Sequence, residues 1–257
     1  MTVRPHRLLA RPPWPPTELQ TTLLTDLEVM QLHVDAEFTH DADGCMVSTN
    51  EPAAVPAPRF FLGHTSDGIV ERYRGDVSAE CRSGLKAAIE VVARDSKSAA
   101  TDEPLDPTPF EQILSQDAPI LHTSVGVAFR FATAVPSMQG TRILRNSEDA
   151  KLLHPLLAAW APDIRASAPL VAFVLDGQAV AVCASVRITP RAHEAGVETA
   201  APFRGCGHAR AAVAAWSVAV RARGAEPLYS TTWQNMASRA LARSLGLVSV
   251  GRDLHIT

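Results

Sequence analysis

The chain has 257 residues, a formal net charge of −3 and 46% hydrophobic residues. This composition suits one large domain or two small ones with a packed core, and it argues against global disorder. Without a basic excess or a long apolar stretch, neither nucleic-acid binding nor a membrane span is predicted. The only apolar run near the start, Leu8 to Ala10, is too short for a signal peptide, so a cytoplasmic location is the default expectation.

Residues 1–120 are predicted to form a small N-terminal α+β unit, whose role the sequence does not reveal. Two proline-rich segments, 48–58 and 95–109, predict linkers or long loops because proline breaks both helices and strands. A helix is predicted before the first linker from apolar residues at helical spacing: Leu19, Leu23, Leu27 and Met30.

A hairpin and a helix are predicted between the two linkers. Residues 59–64 and 69–74 flank the turn sequence Thr-Ser-Asp-Gly, which favours two antiparallel strands. Ser78 is a suitable cap for the following helix, which has one apolar stripe.

Residues 121–257 are predicted to form a mixed sheet with helices on its faces. The predicted strands are 126–132, 170–175, 179–188, 194–199, 228–232 and one that starts at 247. The predicted helices are 147–160, 207–223 and 235–246. The pair Asp176-Gly177 predicts a tight hairpin between the second and third of these strands.

The turn Arg204-Gly205-Cys206-Gly207-His208-Ala209 stands between a predicted strand and a predicted helix. A helix that starts in this way presents free backbone N–H groups at its positive end. Gly205 and Gly207 lack Cβ atoms, so the backbone can approach a ligand closely. The turn therefore predicts a site for an anion such as a pyrophosphate.

Asn235 follows the next strand and is a suitable N-cap for the helix after it, and Gly246-Leu247 stand eleven and twelve residues after it. Together with the segment Val197-Glu198-Thr199 and the glycine turn, this order resembles the acyl-CoA-binding half of the GNAT N-acetyltransferases. The resemblance covers roughly residues 125–257, and the bacterial subgroup with an extra N-terminal domain is the most similar. It implies a mixed, mostly antiparallel α/β (α+β) sheet with flanking helices.

The resemblance also implies acetyl-CoA as cosubstrate and direct transfer of its acetyl group to an amine in a ternary complex. The pantetheine arm would pair with the strand Val197 to Thr199 like an added strand. The residues expected to contact acetyl-CoA are Val197, Glu198, Thr199, Arg204, Gly205, Cys206, Gly207, His208, Ala209, Arg210, Asn235 and Ser238.

Three residues near the start of the fourth strand of the family pattern are candidates for the general base: Glu194, His193 and Glu198. The base must take a proton from the amine, often through water. Many family members protonate the leaving thiolate with a tyrosine seven residues after the asparagine, but this chain has Ala242 there. The general acid is therefore open, and water is one alternative. Tyr229 is interpreted as a packing residue.

Two functions remain open at this stage. The first is an N-acetyltransferase that acts on an amine of unidentified structure. The second is a non-catalytic acyl-CoA-binding or sensing module with the N-terminal unit as its partner. No metal is expected, because the spacing of the four cysteines matches no metal motif. A homodimer is an open alternative to a monomer.

Overall fold

A computed structural model of the chain describes residues 24–94, 103–132 and 139–257. Within these residues, β1 (Phe38–His40) and β2 (Met46–Thr49) form a two-stranded ribbon. Nine further strands form one sheet: β3 (Phe60–Thr65), β4 (Gly68–Tyr73), β5 (Thr123–Arg130), β6 (Thr141–Leu144), β7 (Leu170–Leu175), β8 (Gln178–Ile188), β9 (Ala192–Thr199), β10 (Glu226–Thr232) and β11 (Val248–Ile256).

The strands of the large sheet lie in the order β4-β3-β11-β5-β10-β9-β8-β7-β6. Its pairs are antiparallel apart from β9 and β10, which run parallel. The mixed, mostly antiparallel sheet that the sequence predicted is therefore confirmed.

The helices are α1 (Asp26–Glu37), α2 (Ala79–Arg94), α3 (Thr108–Leu114), α4 (His208–Arg221) and α5 (Met236–Ser244). Successive side chains of a strand point to opposite faces of the sheet, and this alternation separates the helices into two layers. Phe61 packs in the same core as α1, whereas Phe60 and Leu62 pack with α2 and α3. No helix in the described stretches is both long and apolar enough to cross a membrane.

Strands from both sides of residue 120 share the large sheet. β11, the last strand, pairs on one edge with β3 from the N-terminal segment and on the other edge with β5. The division of the chain into two units at residue 120 stays a prediction. Two units divided there would be joined by the backbone hydrogen bonds between β3 and β11.

Helix α1 is fitted closely to the sheet. Its start is fixed by a capping box, in which Thr25 and Glu28 each satisfy a backbone N–H of the other. The fully buried side chain of Met30 lies over two glycines. A Cβ at Gly63 would come within 2.5 Å of Met30 Cγ, and a Cβ at Gly251 within 3.1 Å of Met30 Cε. The strands thus leave a groove for this helix.

Most of the local signals in the sequence correspond to elements of the structure. The two predicted hairpins are β3–β4 and β7–β8. Ser78 Oγ accepts a hydrogen bond from the backbone N–H of Cys81 at 3.1 Å, as expected of a helix cap. Gly224 follows α4 with a φ of 80°, a left-handed conformation that suits glycine.

The predicted helix over 147–160 is wrong. Two 3₁₀ turns, Asp149–Leu152 and Pro155–Trp160, take its place. The reason is Pro155, which lacks an N–H and would clash with the carbonyl one turn earlier.

The predicted linker at 48–58 is also partly wrong, because β2 extends into it and pairs with β1. Leu19, Leu23 and most of the second predicted linker, residues 95–102, lie outside the described residues.

Candidate functional site

The site lies where the two parallel strands of the sheet separate. β9 and β10 pair only at three positions, from Ala192 with Glu226 to Glu194 with Leu228. The other edge of β9 stays paired with β8 as far as Thr199. Beyond Glu194, the free edge of β9 therefore faces an opening in the sheet, and its backbone groups can pair with an extended ligand.

A cavity of about 870 Å³ fills this opening. It is lined by eleven of the twelve residues predicted to contact acetyl-CoA: Val197, Glu198, Thr199, Arg204, Gly205, Gly207, His208, Ala209, Arg210, Asn235 and Ser238. The twelfth, Cys206, is exposed, and its Sγ lies 3.6 Å from the carbonyl oxygen of Arg204.

The glycine turn forms one end of this larger cavity. Gly205 and Gly207 have φ values of 77° and 82°, which strongly favour glycine. Gly207 is the N-cap of α4 and provides no side-chain acceptor for the first-turn N–H groups. Apart from adjoining residues of the turn itself, no described residue has a heavy atom within 4 Å of where a Cβ would lie at either glycine. The start of α4 thus offers open, electropositive backbone to an anion.

Helix α5 forms the opposite wall. Asn235 Oδ1 accepts a hydrogen bond from the backbone N–H of Ser238 at 3.0 Å, so Asn235 is the predicted N-cap. The hydroxyls of Ser238 and Tyr229 lie 2.7 Å apart, and both residues line the larger cavity. Burial raises the pKa of Tyr229, which keeps its hydroxyl protonated. Ala242, by contrast, is fully buried in the core.

A second cavity of about 310 Å³ adjoins the first. Three of the residues that the structure describes line both cavities: Ala195, Ser230 and Thr231. The other residues that line the smaller cavity come from α1, β5, β8, β9, β10 and β11. They are His33, Glu37, Ser124, Gly126, Val186, Arg187, Glu194, Thr232, Asp253 and His255. Two molecules held in the two cavities would therefore meet beside Ser230.

Glu194 and His33 form a buried pair between the sheet and α1. His33 Nδ1 lies 2.5 Å from Glu194 Oε1, and both residues are 2% exposed. The other carboxylate oxygen, Oε2, accepts a hydrogen bond from Ser230 Oγ at 3.4 Å. Glu194 thus lines the smaller cavity close to its junction with the larger one.

The electrostatics of this pair follow from burial and from its neighbours. Burial raises the pKa of the Glu194 carboxyl group. Burial alone would lower the pKa of His33, but Glu194 and Asp253 outweigh it and raise the value to about 9. The pair thus retains a proton at neutral pH.

A second ion pair beside the smaller cavity holds the carboxylate of Glu37. Arg187 Nε lies 3.3 Å from Glu37 Oε2, and the guanidinium also contacts Glu51. Among the acids around the smaller cavity, Glu37 is therefore held by arginine and Glu194 by histidine.

The other two candidates for the general base lie elsewhere. His193 Nδ1 is 2.8 Å from Ser185 Oγ, which also accepts from Trp216 Nε1, so this ring belongs to the core under α4. Glu198 is exposed and accepts a hydrogen bond from Trp160 Nε1 at 2.7 Å. It lines the larger cavity but not the smaller one. Of the three residues, the geometry favours Glu194.

Three further residues line the smaller cavity and were not predicted from the sequence: His33, Asp253 and His255. Their signals were weak: His33 is a polar residue among the buried apolar side chains of α1, and Asp253 and His255 are alternate residues of the last strand. Tyr229 was placed on its strand but read only as packing.

Residues 141–247 match the model of a protein family described as "Acetyltransferase (GNAT) family". This segment includes the glycine turn, α4, β10 and α5. It begins after β5, so α1 and the strands β3 to β5 lie outside the matched region. The comparison with curated proteins finds no match.

Several solved structures are similar to parts of this chain. A protein from Novosphingobium aromaticivorans, assigned to the GNAT family of acetyltransferases, is 21% identical, with a TM-score of 0.45. The similarity covers 53% of this chain and 65% of that protein, which is less than two thirds of its length.

Two longer matches have lower identity. A GNAT-family acetyltransferase from Colwellia psychrerythraea is 13% identical over 84% of this chain and 82% of its own, with a TM-score of 0.46. A GCN5-related N-acetyltransferase from Sphaerobacter thermophilus is 12% identical over 86% and 79%, with a TM-score of 0.45.

Proposed function

We propose that this chain, whose residues 141–247 are a GNAT acetyltransferase domain, transfers the acetyl group of acetyl-CoA directly to an amine. The observation that carries the proposal is the junction of two cavities beside Glu194 and Ser230. The larger cavity ends at the open start of α4 and suits acetyl-CoA, and the smaller one suits the acceptor. The two substrates would then meet in one ternary complex.

Acetyl-CoA would bind along the opening between β9 and β10. Its diphosphate would accept hydrogen bonds from the N–H groups at Gly205 to Arg210, where the helix dipole also favours negative charge. The amides of its pantetheine arm would pair with the free edge of β9 at Val197 to Thr199. Asn235 and Ser238 would contact the other side of the arm.

In the proposed reaction, the neutral amine attacks the thioester carbon. A new C–N bond forms, the C–S bond breaks, and the CoA thiolate leaves. Glu194 would accept the proton that the amine loses, directly or through water, because its Oε2 faces Ser230 at the junction of the cavities. Tyr229 would give a proton to the thiolate, since its hydroxyl lies in the larger cavity beside Ser238.

The alternative function is a non-catalytic acyl-CoA-binding or sensing module. Its main support in the sequence is Ala242 in the place of the usual tyrosine. The position of the Tyr229 hydroxyl weakens that support, because a different residue supplies a donor in the same cavity. The buried carboxylate of Glu194 at the cavity junction also favours an enzyme.

The glycine turn is tested by Gly207→Val, with Gly224→Val as the matched control. Both glycines have a φ near 80° and open space around a Cβ, but they lie at opposite ends of α4. Both variants should lose stability from backbone strain. Only Gly207→Val should lose CoA binding, measured as the rise in melting temperature with millimolar CoA. Equal CoA responses in the two variants would mean that the turn is only structural.

The general base is tested by Glu194→Gln, with Glu198→Gln as the control. The rate is thiol release from acetyl-CoA with the amine that gives the fastest reaction in a panel. Glu194→Gln should lower kcat by roughly a hundredfold or more and leave the KM for acetyl-CoA nearly unchanged. Glu198→Gln should have little effect on kcat. The reverse result would transfer the role to Glu198.

The general acid is tested by Tyr229→Phe in the same assay. This change removes the hydroxyl and keeps the buried ring, so CoA affinity should persist. We expect kcat to fall by about tenfold, less than for the base, because a thiol with a pKa of about 8.5 leaves readily. An unchanged kcat would assign protonation of the thiolate to water.

A further inference from the structure

Three buried polar atoms converge at the floor of the smaller cavity. They are His33 Nε2, Asp253 Oδ2 and His255 Nε2, and none of them makes a hydrogen bond to any residue in the described ranges. His33 is 2% exposed and Asp253 is 4% exposed. Unpaired buried polar groups are rare in folded proteins, so three at one point require an explanation.

Direct pairing among the three residues does not satisfy them. His33 Nε2 lies 3.8 Å from Asp253 Oδ2, which is too far for a hydrogen bond. His255 Nε2 lies 3.2 Å from Asp253 Oδ1, close enough for an ion pair although not aligned as a hydrogen bond, and this contact leaves Asp253 Oδ2 and His33 Nε2 without a hydrogen-bond partner among the described residues. One potential ligand atom from each residue lies within 4.8 Å of those of the other two. Two ligand atoms that each lie about 2.0–2.2 Å from one cation are about 3.3–3.6 Å apart in a tetrahedral site. The separations of 3.8 Å and 3.2 Å in this cluster are close to that range.

From this convergence we infer that His33, Asp253 and His255 bind a divalent transition-metal ion of the zinc type. Two imidazoles and one carboxylate are common ligands of such ions. Three protein ligands leave one tetrahedral position open to the cavity, where water or a polar group of the acceptor could bind.

The surroundings are arranged for such a site. His33 Nδ1 contacts the Glu194 carboxylate, and metal-binding histidines usually donate their second ring nitrogen to a carboxylate in this way. Gly126 on β5 leaves the space that the Asp253 carboxylate occupies, since a Cβ there would come within 2.5 Å of Asp253 Oδ1. Asp253 and His255 project from the same face of β11 because they are two residues apart.

A second set of potential ligands, His33, Glu37 and Glu194, is also close together. Its atoms already have partners, because Glu37 pairs with Arg187 and Glu194 with His33 Nδ1. The unpaired atoms therefore favour Asp253 and His255, and not Glu37 and Glu194, as the metal ligands beside His33. No metal was expected from the sequence, because the cysteine spacing matches no metal motif; His33, Asp253 and His255 are far apart in the chain and form no local motif either.

Metal binding is tested on the full chain without a tag, after treatment with a chelator and dialysis. Titration with Zn²⁺ in a calorimeter should give one ion per chain. Co²⁺ should give a visible spectrum of a nitrogen and oxygen site, without the charge-transfer band of a thiolate. These measurements need no acetyl-CoA, so they stand or fall separately from the proposed acetyl transfer.

Two variants and one control assign the ligands. His255→Ala should weaken Zn²⁺ binding by at least about tenfold, and Gly126→Ala should weaken it by displacing Asp253. His122→Ala removes an exposed histidine outside the cluster and should leave the affinity unchanged. His255 is partly exposed, so its variant should fold, which a circular dichroism spectrum checks. Absence of Zn²⁺ binding, a thiolate spectrum, or equal affinity in His255→Ala and His122→Ala would overturn the inference.

Discussion

Burial of the Glu194 carboxylate beside His33 is the interaction on which the architecture of this site depends. A carboxylate that is 2% exposed requires a partner, because removing a charge from water is costly unless it is paired. The partner comes from α1, more than 150 residues earlier in the chain. Helix α1 must therefore sit on the sheet for this arrangement to exist, and the groove over Gly63 and Gly251 holds it there.

The two cavities are therefore built from different parts of the chain. The larger cavity is built by β9, α4, β10 and α5, nearly all within the segment that matches the GNAT family. The smaller cavity also needs α1, β5 and β11, all of which lie outside that segment. In the proposed reaction, the family segment would bind the acetyl donor, and the added elements would shape the acceptor pocket.

The sequence predicted the features that depend on neighbouring residues and missed those that depend on distant ones. The glycine turn, the Asn235 cap and the hairpins are local, and each has its own signal in a few residues. The contact between His33 and Glu194 has no local signal, and neither does the insertion of β5 between β10 and β11. The helix predicted over 147–160 failed for a local reason, because Pro155 overrode the apolar spacing.

His33 and Glu194 are expected to stabilise each other across the interface between α1 and the sheet. This expectation is tested by a double-mutant cycle with His33→Ala and Glu194→Gln, measured by urea unfolding in the presence of a chelator. His33→Ala alone should lower the free energy of unfolding by about 3 kcal/mol, because it leaves a buried carboxylate unpaired. The double variant should lose about 1–3 kcal/mol less than the sum of the two single losses. Strictly additive losses would contradict this expectation.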